Sequence, residues 1–509
     1  MHSATLLDDT AAYQVITARD ARFDGRLFVG VTSTGVYCRP ICRVRTPMRK
    51  NCRFFETPAQ AEAASFRPCM KCRPEIAPGA GLPWTVMDAS RTLARQAADA
   101  LDAQASNGAA QASNAGTQSA SGEAPSLVHI AGRLGVSDRH LRRIFQAEHG
   151  VTPLQYLQTR RLLLAKQLLT DTRLPVAQVA LASGFNSLRR FNAAFVENYR
   201  MSPSRLRGEV DEAAFDSEAA ITVKLGYRAP YDTATLLRFL AQRAVPEVEA
   251  VADRRVRRSL RAGTVAPVAG WVEAEFSANA PIVLLRFAPE LVAASGRVVA
   301  AVRRWLDLDA QPQAIDAALA NLPGAPGLRL PGSLDAFELA VRAVLGQQVT
   351  VAAARTLARR LVERFGEPLQ TPWDDVIRTF PSPSALAAAQ PEQIAELGII
   401  RTRAGAIQAI ARSWPGLSAL LAPRARPEPL IDRLCALPGI GPWTAHYIAM
   451  RALGWPDAFP PNDVAVLKAI KQLFDTTTQR EADAHAQTWQ PWRAYAVLRL
   501  WNSLDKKTP

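Results

Sequence analysis

Residues 35–55 read GVYCRPICRVRTPMRKNCRFF, and residues 66–75 read FRPCMKCRPE. The first stretch contains a C-x3-C pair, the second contains a C-x2-C pair, and 26 residues separate the two pairs. This spacing lets two short knuckles meet as a tetrahedral thiolate site. The sequence therefore predicts a Zn²⁺ centre whose four ligands are Cys38, Cys42, Cys69 and Cys72.

The rest of the chain is too long for one hydrophobic core. It has 509 residues and a mass of 55.3 kDa, and one domain per roughly 150 residues predicts three or four domains. No stretch approaches the roughly 20 apolar residues that span a bilayer, and the N-terminus has no secretion signal. We expect a soluble, cytoplasmic protein without a membrane partner. Six cysteines in a chain of this length also exclude a secreted disulfide framework.

The charge balance points to a polyanionic partner. The chain has 61 Lys+Arg against 46 Asp+Glu, a net charge of +15 and a pI of about 10.0, which is typical of proteins that bind nucleic acid. Basic residues crowd the predicted zinc ligands: Arg39, Arg43, Arg45, Arg49, Lys50, Arg67, Lys71 and Arg73. A purely structural zinc knuckle is one reading of this region. A nucleophilic thiolate that meets a phosphate backbone is the other.

Breaks in composition divide the chain. Residues 103–126 are rich in Ala, Ser, Asn, Gln and Gly and predict a flexible insertion. A second break lies near Gly208–Ser217. Residues 221–322 mix strand-like and helical runs, and amphipathic helices follow Pro331. The predicted fold class is multidomain, with a small α/β zinc domain, an all-α domain, an α+β domain and a second all-α domain.

The two cysteine stretches resemble the N-terminal domain of the bacterial Ada family over roughly Thr10–Pro74. In that family a zinc-bound Cys takes a methyl group from a DNA methyl phosphotriester. The resemblance implies that Cys38 is the methyl acceptor and that Thr34 and Arg45 lie near the phosphate. A zinc-bound thiolate is a reasonable nucleophile for this transfer, because the metal keeps it deprotonated at neutral pH.

A helix-turn-helix pattern occurs twice. IAGRLGVSDRHLRRIF (130–145) has Gly135 at the turn and Ser137 as the cap of a second helix. VAQVALASGFNSLRRFNAAF (176–195) repeats it with Gly184 at the turn and Asn186 or Ser187 as the cap. The pair resembles the AraC family of DNA-binding domains over about residues 84–207. The resemblance implies that two recognition helices read the major groove, with the candidate DNA-binding residues Arg139, Arg142, Arg189 and Arg190.

A third motif lies near the C-terminus. LPGIGPWTAHY (437–447) has a helix–hairpin–helix pattern, in which Gly439 and Gly441 expose backbone N–H groups that can hold a phosphate. FPPNDVAVLKAIKQLF follows and places Asp463 before a helix, 22 residues after Gly441. A plain helical turn and a simple N-cap are the alternative readings of these two features.

Hairpin, Pro-rich bend and Asp together resemble the HhH-GPD superfamily of DNA glycosylases, and PGLRLPGSLDAFELAVRAVLGQQVTVAAA (326–354) resembles the AlkA-type 3-methyladenine enzymes. The resemblance implies that Asp463 is the catalytic carboxylate. It also implies that Trp443, Tyr447 and Trp501 line the pocket of a flipped base, although core packing would explain these aromatics as well. Gln347 and Gln348 fall where the family inserts a residue into the base stack.

This chain differs from related glycosylases and Ada proteins at two points, and each difference excludes one activity. Glycosylases that also cleave the strand carry a Lys two positions after the second Gly of the hairpin, where this chain has Trp443. A monofunctional enzyme is therefore expected. The only cysteine after position 72 is Cys435, which cannot hold an iron–sulfur cluster and lacks the flanking residues of the second methyl acceptor found in many Ada proteins.

The sequence thus predicts four domains: 1–80 (zinc and methyl acceptor), 84–208 (double helix-turn-helix), 218–325 (AlkA-type N-terminal) and 326–509 (glycosylase). The expected function is DNA alkylation repair and its regulation, with alkylated and promoter double-stranded DNA as partners. A monomer is expected, with RNA polymerase as a further partner. Two other readings remain open: a transcription factor with an inactive glycosylase half, and a structural zinc protein that transfers no methyl group.

Overall fold

The computed structural model describes residues 7–79, 89–105, 127–208, 220–262, 267–421, 425–475 and 478–505. The chain divides into two compact units. Unit 1 comprises Met1–Arg228, Ala262–Val268 and Ser277–Ala300, and unit 2 comprises Ala229–Arg261, Ala269–Phe276 and Ala301–Pro509. The predicted insertion falls largely on residues 106–126, and the predicted second break falls largely on 209–219, which lie outside the described residues.

Unit 1 begins with a small α/β domain. Its elements are α1 (Asp9–Thr17), β1 (Phe28–Val31), β2 (Val36–Cys38), β3 (Cys52–Phe55), α2 (Pro58–Ala63) and β4 (Arg67–Pro68). The sheet order is β3-β1-β2-β4, with β1 antiparallel to both neighbours and β2 parallel to β4. Gly35 (φ +64°) supplies the left-handed residue that the turn between β1 and β2 needs. The turn therefore brings Cys38 back beside β1.

Seven α-helices follow in the described part of unit 1: α3 (Ala89–Ala105), α4 (Leu127–Arg133), α5 (Asp138–His149), α6 (Pro153–Asp171), α7 (Val176–Ala182), α8 (Leu188–Tyr199) and α9 (Pro203–Gly208). The two predicted turn glycines have left-handed backbones, Gly135 at φ +71° and Gly184 at φ +82°. The two predicted helix-turn-helix motifs are α4–α5 and α7–α8. The long helix α6 links them, and a capping box between Thr152 and Gln155 fixes its start.

The next elements mix strands with helices, as expected. They are β5 (Ile221–Gly226), α10 (Thr233–Arg243), β6 (Glu249–Ala252), β7 (Arg255–Ala262), β8 (Val268–Phe276), β9 (Ile282–Phe287) and α11 (Ser295–Trp305). In unit 1, β5 pairs antiparallel with β9 from Ile221↔Phe287 to Gly226↔Ile282. In unit 2, β6 pairs antiparallel with β7.

Unit 2 is mainly helical. It contains α12 (Pro312–Ala318), α13 (Ala336–Leu345), α14 (Val351–Phe365), α15 (Pro383–Ala388), α16 (Pro391–Ala395), α17 (Arg401–Ser418), α18 (Pro427–Cys435), α19 (Pro442–Ala452), α20 (Val464–Phe474), α21 (Gln479–Thr488) and α22 (Arg493–Asp505). Buried side chains of α13, α14, α17 and α19 form its core, including Val341, Leu361, Ile407 and Ile448. The described residues after Pro331 contain helices and no strand, so the predicted all-α region is confirmed.

Candidate functional site

The four predicted zinc ligands meet in unit 1. The sulfur atoms of Cys38, Cys42, Cys69 and Cys72 all lie within 4.8 Å of one another. A tetrahedral zinc with Zn–S bonds of about 2.3 Å separates its sulfurs by about 3.8 Å, so the set fits this metal. The sheet positions two of the ligands. Cys38 is the last residue of β2, and the Cys69 N–H donates to the carbonyl of Tyr37 on the same strand at 3.0 Å.

Hydrogen bonding within the cluster changes the acidity of the thiols in opposite directions. Bonding to the Cys38 thiol is the main cause that lowers the pKa of Cys42 to about 7 and the pKa of Cys69, whereas bonding within the cluster raises the pKa of Cys38. The pKa of Cys72 is raised as well. Cys52 lies outside the cluster, and its thiol donates to the Met48 carbonyl at 3.4 Å. The burial of the ligands is uneven. Cys38 is 5% exposed, whereas Cys72 is more open.

The basic residues around the ligands have two different uses. Arg39 is buried, its Nε donates to Asp24 at 2.7 Å, and its Nη1 donates to the Cys72 carbonyl at 3.0 Å. Arg73 forms ion pairs inside the protein. These two guanidiniums therefore do not belong to the expected cationic surface. Thr34 and Arg45 are exposed, as are Arg43, Lys50 and Lys71, and their contact with DNA stays a prediction.

Both candidate recognition helices begin at a serine cap. The Ser137 hydroxyl accepts from the His140 N–H at 3.2 Å, and the Ser187 hydroxyl accepts from the Arg190 N–H at 3.4 Å. Ser187, not Asn186, is therefore the second cap. The candidate DNA-binding residues Arg139, Arg142, Arg189 and Arg190 are all exposed. Of these, Arg142 pairs with Asp138 on its own helix.

The glycine hairpin of unit 2 joins α18 to α19. Gly439 has φ +79°, and a Cβ there would lie 3.0 Å from the Ala406 Cβ. Gly441 is the N-cap of α19, and nothing lies within 4 Å of the position of its missing Cβ. The start of α19 is therefore open, as binding of a phosphate to backbone N–H groups requires.

The two adjacent glutamines have different environments. The Gln347 side-chain amide donates to the Gly439 carbonyl at 3.0 Å and to the Thr444 hydroxyl at 3.1 Å. The Arg403 guanidinium donates to the Gln347 carbonyl. Gln347 therefore links the turn after α13 to the glycine hairpin by hydrogen bonds. The sequence did not indicate this role. Gln348 is exposed and has a left-handed backbone (φ +52°), so it is the residue of the pair that the turn presents.

Asp463 is only 6% exposed, and three N–H groups reach its carboxylate. The Val466 backbone N–H donates to Oδ1 at 2.8 Å, which makes Asp463 the N-cap of α20. The indole N–H of Trp443 donates to Oδ2 at 2.8 Å, and that of Trp501 donates to Oδ1 at 3.3 Å. The N-cap reading is therefore correct, but it does not account for the two indoles.

Two of the three candidate pocket aromatics donate to this carboxylate, and the third, Tyr447, lies against both of their rings. The rings of Trp443 and Tyr447 are stacked, with centroids 5.2 Å apart and planes 7° apart. Tyr447 and Trp501 have centroids 6.4 Å apart. Arg451, one turn further along α19, donates to the Tyr447 hydroxyl at 2.8 Å. Burial opposes ionisation of that phenol, but Arg451 and the nearby Arg243 and Arg342 lower its pKa below the ordinary value. Sequence reasoning missed Arg451, and its i, i+4 spacing from Tyr447 was the available signal.

These features define a class of protein. Unit 1 joins a four-thiolate metal centre to a double helix-turn-helix, and unit 2 places a buried carboxylate and stacked aromatics beside a helix–hairpin–helix. This is the architecture of a DNA-binding repair protein. Among the described helices, none has the length and apolar character needed to cross a membrane.

Comparison with known families agrees with this class at each part of the chain. Residues 11–75 match the metal binding domain of Ada, 130–209 match a helix-turn-helix domain, 222–335 match the AlkA N-terminal domain, and 341–494 match the HhH-GPD superfamily of base excision DNA repair proteins.

Individual relatives cover different lengths of the chain. A probable bifunctional transcriptional activator/DNA repair enzyme AlkA from Mycobacterium tuberculosis is 37% identical over 98% of this chain and 97% of its own length. DNA-3-methyladenine glycosylase 2 from Escherichia coli is 40% identical over 54% of this chain and 95% of its own length. The Ada protein of the same organism is 32% identical over 32% of this chain and 38% of its own length. The chain belongs to the family of bifunctional transcriptional activator/DNA repair enzyme AlkA proteins, with a zinc-binding Ada-type domain and an HhH-GPD glycosylase domain.

The metal site gives a prediction with a matched control. Cys69→Ser should leave the full-length protein with less than one zinc per chain, because a hydroxyl replaces one of four sulfur ligands. Cys52→Ser should retain one zinc per chain, since Cys52 lies outside the cluster. Elemental analysis of the purified proteins measures both. A folded wild-type protein free of zinc would contradict the assignment.

Proposed function

We propose that this protein excises alkylated bases hydrolytically with Asp463 and, separately, takes one methyl group from a DNA phosphotriester onto Cys38. The observation that carries the proposal is the Asp463 carboxylate, which is buried, held by two indole N–H groups and placed beside stacked aromatic rings. A carboxylate that only capped α20 would not need the two indoles.

In the excision reaction the C1′–N bond breaks, and its electron pair leaves with the base. The sugar then carries positive charge, which the preorganised Asp463 carboxylate stabilises. Water adds its oxygen to C1′ and releases a proton. Tyr447 and Trp501 supply aromatic faces on which an electron-poor alkylated base can stack once it is flipped out of the duplex. Gln348 is exposed on the turn after α13, and we propose that it contacts the DNA.

Asp463→Asn should reduce base excision by about 100- to 1000-fold while leaving binding to damaged DNA nearly intact. The substitution removes the negative charge and keeps the N-cap, because Asn caps a helix about as well as Asp. Single-turnover release of an alkylated purine, measured beside a gel-shift titration, gives both quantities.

Asp232→Asn is the control for that experiment, because Asp232 caps α10 in the same unit by accepting from the Thr235 N–H at 3.0 Å. It should excise at the wild-type rate. Wild-type excision by Asp463→Asn would place the catalytic group elsewhere and favour a purely structural Asp463.

We propose that the enzyme is monofunctional, which means that it removes the base and does not cleave the strand. Trp443 lies two positions after Gly441, where an amine would be needed for a Schiff base with the sugar. Borohydride should therefore trap no covalent complex between the protein and alkylated duplex. The product strand should stay intact at the abasic site until alkali is added to cleave it. A trapped complex on denaturing gels would contradict this prediction.

In the methyl transfer the Cys38 thiolate attacks the methyl carbon of the phosphotriester. A sulfur–carbon bond forms, the carbon–oxygen bond breaks, and the phosphodiester leaves with the electron pair. Zinc, when bound, keeps the four sulfurs deprotonated. A thioether is a poor leaving group, so the domain acts once. Thr34 and Arg45 are exposed in the same domain and are proposed to hold the phosphate.

Methylation of Cys38 should tighten binding to a cognate promoter. It changes the formal charge of the zinc–thiolate cluster from −2 to −1, which weakens repulsion of the DNA backbone. The gain should be largest at low salt, and titrations of methylated and unmethylated protein across salt concentrations measure it. Peptide mapping should place the added methyl group on Cys38, although Cys72 is the more exposed residue. Equal affinities at every salt concentration would exclude the switch.

The proposal extends to partners and assembly. The protein acts as a monomer on alkylated and promoter DNA, and RNA polymerase is a partner at the promoter. The competing hypothesis is that the protein is only a transcription factor and that its glycosylase half is inactive. Retention of both Asp463 and its two indole donors disfavours it, and release of free base from alkylated duplex decides between the two.

A further inference from the structure

A group of ionisable side chains lies between the metal-binding domain and the helix-turn-helix helices of unit 1. We name it the junction cluster, and it consists of Glu62, Arg73, Glu75, Lys166 and Asp171. The side chains of Glu75, Lys166 and Asp171 are 1%, 2% and 3% exposed. Charges this deeply buried interact strongly, because little water screens them.

The first part of the cluster ties the second cysteine knuckle to α6. Arg73 directly follows Cys72, and its guanidinium donates to Glu75 at 2.9 Å, to Asp171 at 2.6 Å and to the Thr170 hydroxyl at 2.8 Å. Lys166 donates to the other oxygen of Glu75 at 2.6 Å. Two residues of the metal-binding domain are thus held by three residues of one helix.

The backbone at Arg73 is set for this contact. Arg73 has φ +52°, a left-handed conformation that is uncommon for a residue with a side chain. On the other side of the knuckle, the Arg39 N–H donates to the Cys72 sulfur at 3.4 Å. The position of Cys72 is therefore tied both to the chain next to Cys38 and to α6.

The second part of the cluster lies between β2, which carries Cys38, and the recognition helix α8. Tyr37, which precedes Cys38 on β2, donates from its hydroxyl to Glu62 at 3.1 Å. The Glu62 carboxyl also lies near Thr159 and Lys166 from α6 and near Tyr199 from α8. Among the described residues, its second oxygen and the Tyr199 hydroxyl have no hydrogen-bond partner. Tyr199 is the last residue of α8, the helix that carries Arg189 and Arg190.

We propose that the junction cluster transmits the chemical state of the Cys38 sulfur to the recognition helix α8, so that methyl transfer changes promoter binding through this contact as well as through surface charge. The inference rests on the proposed methyl-acceptor function. Cys38 lies one residue from Tyr37, and Cys72 lies one residue from Arg73. A small displacement at either sulfur therefore reaches a close-packed polar cluster that cannot deform continuously.

A cluster that only joined the two domains would stabilise both forms of the protein equally. The distinguishing quantity is therefore the methylation ratio, defined as the promoter Kd of unmethylated protein divided by that of protein methylated at Cys38. Coupling between two sites in one protein is commonly about 5- to 150-fold. We expect a wild-type ratio in this range at a salt concentration high enough to suppress the surface-charge contribution.

Lys166→Met should lower the methylation ratio to about one, since Glu75 then loses its α6 ammonium partner. Lys224→Met is the matched control, because it removes the same charge from an exposed side chain of unit 1, and it should keep the wild-type ratio. Elemental analysis confirms one zinc per chain in both full-length variants, and base excision, which belongs to unit 2, should be unchanged.

Two milder variants keep the test decisive if Lys166→Met fails to fold. Thr170→Val and Tyr199→Phe each delete a hydroxyl next to the cluster and no charge, and each should lower the ratio by up to about fivefold. Ratios equal to wild type in both folded variants would overturn the proposal. A wild-type ratio of one at all salt concentrations would instead contradict the methylation switch itself.

The pH dependence gives an independent measurement. Burial raises the pKa of Glu62 to about 8, so the carboxyl is neutral at pH 7. A raised folded-state pKa means that the stabilisation is complete at low pH and is lost as the pH rises through about 8. Between pH 7 and pH 9 the Glu62 carboxyl also becomes negatively charged, which changes its contacts with Tyr37 and Tyr199. The methylation ratio should fall over this range in wild type and stay constant in Glu62→Gln, which is neutral throughout. A parallel fall in both proteins would remove Glu62 from the coupling.

Discussion

Compensation of buried charge by directed donors is the constraint on which both functional regions depend. Removing a carboxylate or thiolate from water costs several kcal/mol unless nearby groups replace the lost hydrogen bonds. Asp463 receives three N–H groups, and Asp24 receives the Arg39 guanidinium. The compensating side chains come from other segments of the chain: Trp443 and Trp501 for Asp463, and Arg39 for Asp24. Compensation therefore fixes how those segments pack.

Because of this constraint, the number of basic residues does not measure how many of them are available to bind DNA. The net charge of +15 suggests a broad cationic surface, but much arginine is used inside the protein. Among the described residues, Arg39, Arg228, Arg258, Arg329 and Arg499 are at most 6% exposed. Arg258 compensates Glu338, and Arg499 compensates Asp316. Exposed arginines, such as Arg189 and Arg190, remain available for the proposed contacts with DNA. Net charge alone cannot separate the two groups.

Local signals in the sequence predicted local structure well. Gly135 and Gly184 marked turns because a left-handed backbone favours glycine, and Ser137 marked a helix start because its hydroxyl can accept a backbone N–H. The cysteine spacing likewise predicted the sulfur cluster. Contacts between distant segments had no such signal. Glu62 and Tyr199 are separated by 137 positions, and neither residue type is unusual at its place in a helix. The same holds for Gln347, whose clamp on Gly439 depends on how α13 packs against α19.

Asp463 shows why a structural reading and a catalytic reading of one residue need not compete. As the N-cap of α20, its carboxylate lies at the positive end of the helix dipole. The two indole N–H groups then fix both oxygens in position before any substrate binds. A charge that is already oriented needs no reorganisation when positive charge develops on the sugar, which is the main advantage of an enzyme site over water. The cap is therefore one of the means by which the fold holds the carboxylate in the position that the proposed excision requires.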